Sequence, residues 1–181
     1  MSLESSPSSA STAGPLMTLR IIVFALAMGM TTFAGFAVSQ NINKPHTIAG
    51  KIDTLGMVFL GMGLAALPLG MILPRIIFAA SRSVPATKMN WPPGTSPDQA
   101  RAFVVQQRIQ TSAIIGCAIF EGAAFANVLA YMQTREVVHL ALAGALLVGI
   151  LAHFPTAGSY KRRVEDELRR MDEEEGLRRQ P

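Results

Sequence analysis

From Ile21 to Asn43 the chain carries no charged side chain. A helix needs about 20 predominantly apolar residues to cross the hydrocarbon core of a bilayer, and this stretch exceeds that length. A chain containing such a run has few places to put it except a membrane. Only 15% of the residues are charged, against about a quarter in ordinary soluble domains.

The pattern recurs. Thr54 to Pro74 is uncharged and bounded by Asp53 and Arg75. It holds four glycines and Pro68, which removes one backbone donor and predicts a kink. Pro74 and Arg75 mark its expected exit. A third apolar stretch covers Ile109 to Met132, interrupted by Glu121 and Asn127, and a fourth covers Val137 to Phe154. The expected fold is therefore all-α: an integral membrane bundle of four helices over about 19–40, 54–74, 109–132 and 137–154. Only Gln133 to Glu136 separate the last two, so they form a tight antiparallel hairpin, and the first two form another.

The remaining segments are polar. Residues 1–18 are rich in Ser, Thr, Ala and Pro and read as a disordered tail. Ala37-Val38-Ser39 offers a small-residue cleavage site, the alternative under which the first span is a removed signal, but the leading segment lacks a basic region. The linker 75–108 contains the helix-breaking Trp91-Pro92-Pro93-Gly94, then Ser96-Pro97-Asp98, a cap followed by a proline and an acid. A helix is predicted to start there and continue into the third span. In the charged tail 157–181, Val164, Leu168, Met171 and Glu175 share a helical stripe suited to a membrane surface or a second chain.

Basic residues orient the bundle. Thirteen lie on the side of the termini and the linker, and three (Lys44, Lys51, Arg135) on the other. The expected setting has both termini in the cytoplasm, and anionic lipid accounts for the positive charge without nucleic acid.

Glu121 is the in-span residue best placed to carry chemistry, because a carboxylate near the bilayer midplane is costly and needs a partner. Thr31 and Thr32 in the first span, Asn127, and backbone freed by Pro68 are the candidate supports for a proton or cation site. The alternative is a carboxyl that ties helices together. Small residues recur every four positions at Ala118, Gly122, Ala126 and Ala130, and at Ala141, Ala145 and Gly149, a spacing that lets helices approach closely. His139 and His153 fall near one face of the fourth span, about 21 Å apart at 1.5 Å per residue. Such a spacing would serve two hemes only if a symmetric dimer completed the ligands. Histidines near the two membrane faces are the ordinary reading, and no cofactor is expected. The single cysteine, Cys117, excludes an intramolecular disulfide and any multi-cysteine metal site. No phosphate-binding loop, dinucleotide fingerprint, zinc-protease motif or nucleophile elbow is present, so no enzyme is expected.

Two resemblances follow from these residues. Leu19-Arg20-Ile21-Ile22-x-Phe24-Ala25-Leu26, Leu73-Pro74-Arg75 and Glu121-Gly122-Ala123-Ala124 resemble a group of small, uncharacterised four-helix bacterial membrane proteins. That resemblance implies a bacterial inner membrane and carries no activity. Gly116-Cys117-Ala118-Ile119-Phe120-Glu121 is similar to the carboxylate helix of rotary-ATPase proteolipid subunits, matching at Gly116, Ala118 and Glu121. In those proteins the carboxylate sits on the second helix of a hairpin, whereas Glu121 is on the first. The leading expectation is a non-enzymatic module that packs against itself or another membrane protein. The rival is proton- or cation-coupled transport through Glu121.

Overall fold

The computed structural model describes residues 13–43, 45, 53–82 and 94–178. The tail up to residue 12, Lys44, His46, Lys51, Lys88 and Trp91-Pro92-Pro93 lie outside the described residues. Within them the chain is all-helical, with α1 Ala13–Asn41, α2 Thr54–Ser81, α3 Pro97–Thr134, α4 Val137–Ala152 and α5 Ala157–Arg178. Three helices, α1 to α3, are long and apolar enough to cross a membrane. The fourth, α4, has 16 residues and meets α5 at a 61° bend, so it counts as a span only with the chain that follows it.

Local chemistry sets most boundaries. Asp53 caps α2 by accepting from the Gly56 amide at 2.7 Å. At α3, Ser96 and Gln99 form a reciprocal capping box and Pro97 occupies the first turn, where its missing donor costs nothing. The helix then runs unbroken through the third apolar stretch. Arg135 ends it in the left-handed conformation (φ 59°), its amide donating to the Tyr131 carbonyl, and Glu136 starts α4 one residue later.

Two boundaries differ from the sequence reading. Helix α1 begins at Ala13, inside the segment read as a tail, and Gln110 donates to the Pro15 carbonyl at 2.7 Å across the α1–α3 contact. Helix α2 continues past Pro74 and Arg75 to Ser81, staying helical through both prolines. Its extension is held by Arg82, whose Nε and Nη2 each lie 2.7 Å from a Glu167 carboxylate oxygen on α5.

The arrangement is not a pair of packed hairpins. Helix α3 packs against α1, α2, α4 and α5, and α4 also packs against α1 and α2. Helices α1 and α2 do not pair with each other as a hairpin; they flank α3 and α4 separately. The reason lies in α2, whose buried face is Gly56, Gly63, Ala66, Gly70 and Pro74. Seven-residue glycine spacing makes a flat stripe, and it receives large side chains from the later helices. A methyl group at Gly70 would sit 2.6 Å from the Phe120 ring, and one at Gly63 would meet Asn127 and Leu142. Gly116 meets Pro74 and His153 in the same way.

One end of the bundle gathers the basic residues. There Arg20 donates to the Pro155 carbonyl (3.1 Å), and Arg101 pairs with Asp172 (3.3 Å). Helix α5 packs on α3, with Tyr160 and Val164 buried and Leu168 and Met171 against the same core. The apolar stripe of the tail is thus covered by its own chain.

Candidate functional site

Glu121 lies partly exposed on α3, beside exposed Ala118 and Gly122. It has no hydrogen-bond or ion-pair partner among the described residues. Its expected supports are elsewhere. Thr31 and Thr32 point away from the buried face of α1, and the Thr31 hydroxyl donates to the Ala27 carbonyl of its own helix at 2.8 Å. Pro68 is exposed on the side of α2 away from the glycine stripe. Asn127 is buried, but its bonds go to other groups.

The small-residue stripes divide similarly. Ala126 and Ala130 are buried, whereas Ala118, Gly122, Ala141 and Ala145 are exposed and Gly149 lies under the Phe120 ring. Close helix approach is instead made by Gly63, Gly70, Gly116 and Gly149.

The strongest polar constellation lies at the end of the bundle opposite the basic residues. Asn127 and His139 are each 0% exposed, and Glu136 is 3% exposed. The Asn127 amide nitrogen donates to the carbonyls of Phe59 on α2 (3.0 Å) and Ala123 on its own helix (2.9 Å). Its oxygen is then left to accept, and it lies 3.1 Å from His139 Nδ1. That arrangement fixes a tautomer: Nδ1 carries hydrogen and donates, leaving Nε2 facing inward. Glu136 Oε2 is 3.8 Å from Nε2, too long for a direct hydrogen bond, and both atoms are buried with no hydrogen-bond partner among the described residues.

This grouping was missed in the sequence because Glu136 reads as a solvated turn residue. A signal was present: Glu136 and His139 are three apart across the first turn of α4, and Asn127 is polar inside the preceding span. His139 lies in the first turn of α4, with its side chain sealed inside the bundle. His153 is partly buried, with Nδ1 2.9 Å from the Gly149 carbonyl and its ring edge-on to Phe120 at 5.6 Å. Among the described residues no group of three or more His, Cys, Asp or Glu side chains is arranged to hold a metal ion.

No known protein family, no curated protein and no solved structure matches the chain. The site must therefore be read from its own chemistry.

Proposed function

We propose that this chain is a four-spanning protein of a bacterial inner membrane, with both termini cytoplasmic, and that it works as a non-enzymatic assembly module. The occupant of its docking face is a second copy of itself. The observation that carries this reading is Glu121, a partly exposed carboxyl on an apolar helix with no hydrogen-bond or ion-pair partner among the described residues.

In hydrocarbon such a group must be covered or bonded. The neutral carboxyl both donates and accepts, so two copies related by a two-fold axis can satisfy each other's Glu121. Exposed Ala118 and Gly122 flank it, and a methyl at Gly122 would meet nothing within 4 Å, so a second helix can approach closely there. The four-span topology is supported by the shared basic end, where the start of α1, the end of α2, the early part of α3 and the exit of α4 come together. The bacterial setting rests on the resemblance carried by Leu19 to Leu26, Leu73-Pro74-Arg75 and Glu121 to Ala124.

The test is crosslinking in native membranes, with Cys117 replaced by Ser. Cysteines at Ala118 or Gly122 should give a covalent dimer, and one at exposed Leu64 on α2 should not. Absence of the dimer, or equal crosslinking at Leu64, overturns the reading. Ion-coupled transport would require Glu121 to border a wet path, and its position on the bundle surface favours assembly over transport.

A further inference from the structure

The geometry points to Glu136 and His139 as a sealed binding site for one proton, held between Oε2 and Nε2 at the start of α4, where Asn127 joins α2, α3 and α4. The inference is independent of the assembly reading, since neither residue lies on the Glu121 face.

The argument starts from donors and acceptors. Asn127 spends both amide hydrogens on backbone carbonyls, so its oxygen can only accept. His139 Nδ1 must therefore donate to it. With no further proton, Nε2 offers only a lone pair, and it faces a carboxylate oxygen 3.8 Å away that also only accepts. Two buried acceptors facing each other are an unfavourable arrangement, and each loses the hydrogen bond that water would have given it. A single proton on either atom converts the clash into a hydrogen bond. A second proton adds no further bond between these two atoms and leaves a net positive charge sealed in the site. The site thus takes up one proton from solvent, and the pair titrates as a unit.

The surrounding charges are few. Asp53, the cap of α2, is near enough to His139 to interact with it electrostatically. Arg135 adjoins Glu136 in the turn. Helix α3 otherwise presents Asn127 and Tyr131 at this end, and α1 has no charged residue from Ile21 to Asn41. A metal ion is a poorer occupant, because only two ligating atoms converge here and no third His, Cys, Asp or Glu among the described residues completes the set.

The site can be read directly by nitrogen NMR of histidine-labelled full-length protein in lipid bilayers. In the wild type His139 Nε2 should be protonated or hydrogen-bonded at neutral pH, with Nδ1 carrying hydrogen. That signal should be lost in a single one-proton step as the pH is raised. In Glu136→Gln the side-chain amide supplies a permanent donor, so the hydrogen-bonded Nε2 signal should persist at every pH. In Glu136→Leu it should become that of a bare nitrogen. If the wild-type Nε2 is bare from acid to alkaline pH, or if Glu136→Gln retains the wild-type titration step, the proposal fails. Should Glu136→Leu not fold, the wild-type pH series and Glu136→Gln decide the matter by themselves.

Discussion

The ring of Phe120 fills the space that a side chain at Gly70 would need. The same ring also rests on Gly149, where a methyl would lie 3.2 Å from it, so the aromatic is held between α2 and α4. It cannot retreat from one without pressing on the other. Gly70→Ala should therefore destabilise the bundle by about 1–3 kcal/mol, as overpacking of tight cores does. Gly61→Ala, with nothing within 4 Å, is the control and should leave thermal unfolding in detergent unchanged or slightly raised.

Asn127 connects three helices through one side chain. Asn127→Leu removes its bonds and leaves His139 Nδ1 a buried donor without an acceptor. The expected loss is about 1–3 kcal/mol, the usual cost of stranding a buried polar group. A double-mutant cycle with His139→Leu should recover part of it, because the stranded donor disappears. Purely additive losses in thermal unfolding would show that the two side chains are not coupled.

The Arg82–Glu167 pair anchors α5. Glu167 is buried, so Arg82→Ala leaves a carboxylate that water barely reaches, and it should loosen α5 more than the double variant Arg82→Ala/Glu167→Leu. Amide exchange along Tyr160 to Met171 reads this directly. Arg169→Ala, which breaks an exposed pair on the same helix, should cost no more than about 0.5 kcal/mol.

Tyr160 is buried, and its hydroxyl has no hydrogen-bond partner among the described residues. Tyr160→Phe keeps the ring packing and removes an unsatisfied polar atom. It should be neutral or stabilising by up to about 1 kcal/mol in thermal unfolding, whereas Tyr160→Ala should cost about 3 kcal/mol or more.

The sequence made the apolar stretches and their local punctuation legible because those depend on neighbours along the chain. Charge-free runs, the Ser96-Pro97 start and the short turn after Thr134 are all local signals. Which helices meet is not. The first two apolar stretches are neighbours in the chain and were expected to pair, but the Gly63–Gly70 face of α2 fits the bulk of Phe120, Asn127 and Leu142 instead. Continuation of α2 past Pro74 depends on Glu167, 85 residues after Arg82, which no local pattern announces. Glu121 stood out because a carboxyl in an apolar run is conspicuous. Glu136 did not, since only the folded turn reveals that it is buried against His139.

Helix α3 joins two environments without a hinge. Its 38 residues extend about 57 Å at 1.5 Å per residue, from a polar first turn capped by Ser96 to the turn at Arg135. Helix α5 grips the polar portion, Glu121 sits well past the middle, and Asn127 lies near the far end. A stiff rod of this kind has no slack in it. A displacement of the portion gripped by α5 therefore has a continuous helical path to Glu121 and Asn127, with no loop between to absorb it.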